Sequence, residues 1–152
     1  MPAISVILPT HNRARVLERS VRSVLEQTFD DFELIIVDDA STDDTVQLLS
    51  TIRDPRIRIL HLEANRGAAG ARNAGIAAAT ADWVAFQDSD DVWLPDKLRS
   101  QYTLARNSPP VVGLVLGGYL VETPRGKVPI LPVQTLAGAD PRPDLLDGWP
   151  II

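Results

Sequence analysis

The chain has 152 residues, 45% apolar and 23% charged, with a net charge of −5, a length and composition that suit one domain with its own core. The acidic balance argues against a general nucleic-acid surface, and no run of about 18 apolar residues suggests a membrane span. With no cysteine, disulfides and thiolate metal sites are excluded.

Ile4-Ser5-Val6-Ile7-Leu8 is β-branched and apolar and is closed by Pro9, which predicts a buried strand. Leu17, Val21, Val24 and Leu25 recur at helical spacing and predict an amphipathic helix to about Gln27. Glu33 to Val37 is a second predicted strand. Ser41 with Asp44 three residues on has the form of a capping box. It would open a helix through Leu48, Leu49 and Ile52 that Asp54-Pro55 ends. Arg56 to Leu62 alternates polar and apolar residues, a third strand with one exposed face. After Asn65-Arg66-Gly67 an alanine-rich helix is predicted over roughly Gly70 to Ala79. Trp83-Val84-Ala85-Phe86 is a fourth strand, read as buried. Pro95 suits the first position of a helix to about Arg106. Beyond Pro109, Val111 to Leu116 and Tyr119 to Val121 read as strand. From Thr123 the chain is proline-rich and expected to be irregular, with a hairpin across Arg125-Gly126-Lys127.

Strands alternating with helices predict a mostly parallel sheet with right-handed crossovers. Such sheets bind ligands beyond the carboxyl ends of their strands. Thr10, His11 and Asn12 follow the first strand, Asp38 and Asp39 the second, and Asp88 to Asp91 the fourth. These groups are therefore expected to share one rim. Three carboxylates in Asp88-Ser89-Asp90-Asp91 repel one another, and a hard divalent cation, Mg2+ or Mn2+, would compensate them through oxygen ligands. In extended backbone Asp88 and Asp90 point the same way. The plainer alternative is a set of solvated carboxylates capping the following helix. Asp38 could equally brace its own loop. Arg13, Arg15, Arg19 and Arg22 read as a solvated helix face, Trp83 and Trp93 as packing, and His61 as structural.

Four segments occur in order: Ser5 to Asn12, Val37-Asp38-Asp39-Ala40-Ser41, Gly70-Ala71-Arg72-Asn73-Ala74-Gly75 and Asp88-Ser89-Asp90-Asp91. Together they resemble the nucleotide-binding half of an inverting family 2 glycosyltransferase with the GT-A fold, over about residues 3 to 106. The resemblance implies an α/β, Rossmann-like α/β/α sandwich with a mostly parallel central sheet, truncated after the donor-binding half. It implies a nucleotide-sugar-binding domain at 1–122 and the irregular, proline-rich start of an acceptor-side region at 123–152. By residue, it implies that Pro9, Thr10 and His11 line the base and ribose pocket and that Asp39 reads a base edge. Arg72 would lie near the pyrophosphate. Asp88, Ser89 and Asp90 would form the D-x-D loop, with Asp90 the first choice as ligand to Mn2+ or Mg2+, and Asp88 and Asp91 close to that ion.

The activity implied is metal-dependent transfer of a sugar from a nucleoside-diphosphate donor, UDP or dTDP favoured, to the hydroxyl of a glycan, lipid or small molecule. The family's general base lies on a later segment, and here Asp140, Asp144 and Asp147 match no motif. A non-catalytic nucleotide-sugar-binding fragment is the competing expectation. A phosphoacceptor receiver domain is a distant one, since it needs its acid pair after the first strand. The start, Met1-Pro2-Ala3-Ile4, lacks a signal-peptide layout, so a cytoplasmic or membrane-peripheral location is expected. A homodimer through the apolar end, Trp149 to Ile152, is a further expectation.

Overall fold

The computed structural model describes residues 1–107, 114–115, 117–124 and 126–130. The chain forms two compact units, Met1–Thr103 and Leu104–Ile152. The first holds β1 (Ile4–Thr10), α1 (Leu17–Leu25), β2 (Phe32–Asp38), α2 (Thr45–Thr51), β3 (Ile57–His61), α3 (Gly67–Ala78) and β4 (Trp83–Phe86), and α4 (Lys97–Asn107) begins in it.

The four strands are parallel, in the order β3-β2-β1-β4. The chain steps outward from β1 to β2 to β3, then returns past β1 to add β4. With right-handed crossovers, that reversal puts α3 on the opposite face from α1 and α2. The core shows this division. Ile4, Val6, Leu8, Leu34 and Ile36 pack with Leu17, Val21 and Val24 of α1, Leu49 of α2 and Leu98 of α4. Ile7, Ile35 and Val37 turn the other way, onto Ala71 of α3. Strands buried on both faces need no polar alternation, which is why β1 and β2 read as continuous apolar runs. The place where strand order reverses, between β1 and β4, is where doubly wound sheets open a ligand crevice.

Several expected boundaries change. β1 continues through Pro9 to Thr10, with Pro9 opposite Val37. Ile7 O accepts from Gln87 N on the β4 side, and Thr10 O accepts from Asp39 N on the β2 side. By alternation the missing N–H of Pro9 faces the β4 side at the next donor position after the Gln87 N to Ile7 O bond, so the ladder beside β4 ends there. The expected capping box at Ser41 is absent. Helix α2 starts at Thr45, whose N–H donates to Asp43 Oδ1 (2.9 Å), while Ser41 Oγ accepts from Asn12 N (2.9 Å). Helix α3 starts a turn earlier than expected, because Asn65 Oδ1 accepts from Gly67 N and turns the chain there. Strand β4 is not buried: it is the outer strand of the described sheet, and Phe86 is exposed. A turn at Pro95 and Asp96 precedes α4, so Pro95 is not its first residue.

In the second unit β5 (Tyr119–Thr123) and β6 (Gly126–Ile130) form an antiparallel hairpin with Thr123 opposite Gly126. Gly126 takes φ +122°, which favours glycine. The hairpin expected across residues 125–127 is therefore present. The strand expected at Val111 to Leu116 lies mostly outside the described residues. Asp140, Asp144, Asp147 and the end from Trp149 to Ile152 lie wholly outside them. Among the described residues no helix is long and apolar enough to cross a membrane.

At the amino ends of the strands, away from the rim, Glu33 is buried on the α3 face. Its Oε1 accepts from Ser5 Oγ (2.7 Å), Thr80 N (2.8 Å) and Thr80 Oγ1 (2.6 Å), and its Oε2 meets Arg58 Nη1 at 3.3 Å. Burial pushes the carboxyl up, but the bonds from Thr80, Ser5 and Arg58 together hold it below its ordinary value of 4.5. A depressed carboxyl contributes stability that is present above the unfolded value and lost as pH falls through the folded one. Urea unfolding midpoints of the wild type should therefore drop as pH is lowered below about 4.5, and Glu33→Gln should flatten that slope. Glu33→Ala, which strands the Ser5 and Thr80 donors, should cost about 1–3 kcal/mol at neutral pH.

Candidate functional site

The loops after β1 and β2 interlock. Asn12, at φ +52°, accepts from Thr42 N (2.7 Å) and Asp43 N (3.2 Å) through its Oδ1. Asparagine tolerates this left-handed region, whereas Ala40, at φ +57°, is strained there. Such strain persists only where surrounding bonds hold it. Here Asp38 Oδ1 accepts from Ser41 N, and Asp38 Oδ2 lies 3.1 Å from His61 Nδ1. Asp38 thus braces the loop, and His61 is its structural partner. Asp39 continues the ladder by donating its N–H to Thr10 O, is buried, and accepts from Arg66 N through Oδ1 (2.7 Å). Its Oδ2 makes no hydrogen bond among the described residues. His11 Nδ1 donates to Asp39 O at 2.7 Å, so its Nε2 is left as acceptor for Asn12 Nδ2 at 3.1 Å. Thr10 is buried, and its Oγ1, like Gln87 Oε1, is an enclosed polar atom with no partner among the described residues.

Past β4, Gln87 N donates to Ile7 O and prolongs the ladder beside β1. Asp91 N then donates to Asp88 O, closing a turn over Ser89, which is buried, and Asp90. Arg72, from α3, meets Asp88 Oδ1 at 2.5 Å. Arg13 lies 3.8 Å from Asp90 Oδ2, and Arg19 Nη2 donates to Asp90 O at 3.3 Å. Asp91 is exposed as a residue, yet its carboxyl is pushed above its ordinary range, by desolvation first and then by Asp88 and Asp90, against the opposing charge of Arg19. The carboxylates are therefore close enough to repel one another, as expected.

Whether these residues suit a divalent cation follows from the donor set. Among the described residues no three His, Cys, Asp or Glu side chains gather into a ready-made metal cluster. Mg2+ and similar ions, however, are commonly bound through one or two carboxylates completed by substrate phosphates. Asp90, with a side chain 56% exposed, fits that arrangement better than an all-protein cage.

All the expected site residues lie at the carboxyl ends of β1, β2 and β4 or on α3 beside them. Thr10, His11 and Asp39 fall on the β1/β2 side, and Arg72, Asp88, Ser89 and Asp90 on the β1/β4 side. Pro9 stays in the strand. Arg13, Arg15, Arg19 and Arg22 are exposed, as expected, though Arg13 precedes α1, and Arg13 and Arg19 also reach Asp90. The one-face spacing of Arg15, Arg19 and Arg22 carries no sign of the loop that comes to lie against Arg19. Ser20 and Gln87 were missed as rim-building groups. Asn12 was expected on the rim, and its type suits the positive φ it takes there.

The family model for Glycosyl transferase family 2 matches residues 5–145. The chain belongs to glycosyl transferase family 2. This family 2 domain is 40% identical over 101 residues to the Escherichia coli UDP-Glc:alpha-D-GlcNAc-diphosphoundecaprenol beta-1,3-glucosyltransferase WfgD, covering 66% of this chain and 40% of that one. It is similar in structure to S. aureus TarS 1–349 in complex with UDP-GlcNAc, at TM-score 0.65 and 32% identity, over 70% of this chain and 31% of TarS. It is also similar to the mannosyltransferase PcManGT from Pyrobaculum calidifontis in complex with GDP-Man and Mn2+. There the TM-score is 0.64 and the identity 27%, over 82% of this chain and 36% of the other. The family 2 domain thus has the expected GT-A-like α/β fold, and the chain spans less than half the length of each of these relatives.

Proposed function

We propose that the rim binds a nucleoside-diphosphate sugar and serves its inverting transfer to an acceptor hydroxyl, assisted by Mn2+ or Mg2+. The observation that carries this reading is the division of the rim. A buried acceptor, Asp39, and an unpaired hydroxyl, Thr10 Oγ1, lie on one side, and a cation with exposed carboxylates, Arg72, Asp88 and Asp90, on the other. A nucleotide sugar has the same polarity, with a base at one end and a diphosphate at the other. The donors named for the relatives, UDP-Glc, UDP-GlcNAc and GDP-Man, are of this class.

Asp39 would accept from the N–H of a base edge, which favours UDP or dTDP. Thr10 and His11 would flank the base and ribose. Arg72 would move its charge from Asp88 toward the diphosphate, where negative charge grows as the sugar leaves. Asp90, with Asp88 or Asp91 beside it, would hold a divalent cation, which when bound supplies further charge stabilisation to the leaving diphosphate. Transfer also needs a base for the acceptor proton. No described residue is assigned that role, and Asp140, Asp144 and Asp147 are the first to substitute in a turnover assay.

Calorimetric titration with UDP, dTDP and GDP, with Mn2+ and with EDTA, tests this function. Wild type should bind UDP more tightly with Mn2+, and absence of binding by all three nucleotides would refute the proposal. Asp39→Asn keeps an acceptor for Arg66 N but loses the carboxylate. It should weaken UDP by about 10-fold, the lower end of a charge-assisted hydrogen bond, and leave pyrophosphate binding unchanged. Equal loss of both ligands would assign Asp39 to the loop alone.

A further inference from the structure

We infer that Ser20 and Gln87 are positioning residues that hold the Asp88–Asp91 turn in the geometry its ligand requires. This rests on the donor-binding reading above. Helix α1 buries polar groups where an amphipathic helix would bury apolar ones: Ser20 is 0% and Ser23 8% exposed, and Gln27, just past the helix, 6%. Their polar atoms serve the segment after β4. Ser23 Oγ accepts from Trp93 N (3.1 Å), while Gln27 donates to Leu94 O (2.8 Å) and accepts from Leu98 N (3.0 Å). These bonds seat the stretch leading into α4.

Ser20 and Gln87 act nearer the acids. Ser20 Oγ donates to Asp88 O at 3.0 Å and accepts from Gln87 Nε2 at 2.9 Å. The same Gln87 nitrogen donates to Asp91 O at 2.8 Å. One connected pair of side chains therefore grips the backbone on both sides of Asp90. Gln87 is 1% exposed, so its amide is enclosed and cannot exchange these partners for bulk water without opening the core. Neither side chain is placed to touch a ligand through these bonds. They set the direction of the carboxylates that do. Groups of this kind, behind the ligating atoms, change metal affinity by about 10–100-fold when removed.

The test uses Ser20→Ala and Gln87→Met, which delete the donors, with Ser23→Ala as a control of similar burial whose hydroxyl bonds Trp93 N and Ser20 O and neither Asp88 nor Asp91. UDP affinity is measured calorimetrically with Mn2+ and with EDTA, beside melting temperature and hydrogen exchange of the peptide covering Asp88–Asp91. Ser20→Ala and Gln87→Met should weaken UDP about 10-fold or more in Mn2+, leave affinity in EDTA unchanged, and speed exchange at Asp88–Asp91. Ser23→Ala should lose stability alone. Wild-type Mn2+-dependent affinity in Ser20→Ala, or the same loss in all three variants, would overturn the inference. A wild-type chain whose UDP affinity is indifferent to Mn2+ would instead sink the underlying reading. Unaltered exchange at Asp88–Asp91 in Ser20→Ala would even then refute the hold on the turn.

Discussion

Replacing Asp90 with alanine is expected to weaken UDP binding in Mn2+ by about 100-fold, since a lost metal ligand should cost at least as much as the strongest outer-shell changes. The side chain is 56% exposed, and its Arg13 neighbour is half exposed at 3.8 Å. A pair that long and that wet contributes less than about 1 kcal/mol to stability, so the fold should tolerate the change. Asp88 is a poorer test of the same idea. It sits 2.5 Å from Arg72, and its removal would also release a cation onto the phosphate, mixing two effects of opposite sign. Calorimetry of wild type and Asp90→Ala, each with Mn2+ and with EDTA, separates metal-assisted from direct affinity. Equal UDP affinity for both proteins in Mn2+ would show that Asp90 holds no ion that matters to the nucleotide.

Gly75→Val should cost about 3 kcal/mol or more, at the upper end of overpacking penalties. Gly75 lies in α3 where the helix crosses the sheet. A Cβ built there overlaps Ile7 Cγ2 and comes within 3.3 Å of Ile7 Cγ1 and Val37 Cγ2. Ile7 and Val37 are fully buried, and Ile7 is paired to β2 on one side and β4 on the other. Its branched side chain has little rotamer freedom with which to retreat. On an exposed helix face the same substitution would gain a few tenths of a kcal/mol from propensity, so here the overlap decides the sign. A melting temperature lower by roughly 10 °C is expected, at about 2–4 °C per kcal/mol for a chain of this size. Gly75→Val with Ile7→Ala should cost less than the sum of the two, since contacting residues couple. A wild-type melting temperature in Gly75→Val would mean that α3 does not approach the sheet at that point. The same close approach seats the turn carrying Arg72, so this glycine bears on the site as well as the core.

The expected elements were recovered in order because their signals are local. Val6 to Leu8 and Leu34 to Val37 are apolar on both sides, and only a doubly covered strand suits such runs. Their alternation with helices implies a parallel sheet, and a parallel sheet puts Thr10, Asp39 and Asp88 on one rim. Errors arose where a local signal had two readings. Ser41 with Asp44 has the spacing of a capping box, but Asn12 comes across from another loop and takes the Ser41 hydroxyl. Trp83 to Phe86 is apolar enough for a central strand, but strand order leaves it outermost among the described residues.

Residue type and spacing were thus enough for the class of fold, the rim and the acids upon it. Partner choice across long separations needed the folded chain. Arg13 and Asp90, Arg72 and Asp88, and Ser20 and Gln87 are far apart in the chain, and nothing in either member of a pair names the other. The reversal of strand order between β2-β3 and β4 brings the loop after β4 against α1 and α3. That packing decides which cation meets which carboxylate, and it brings Arg13 and Arg19 to Asp90 while they stay exposed. Side-chain periodicity records which surface is buried, whereas electrostatic pairing depends on which surfaces meet, and tertiary topology alone controls that.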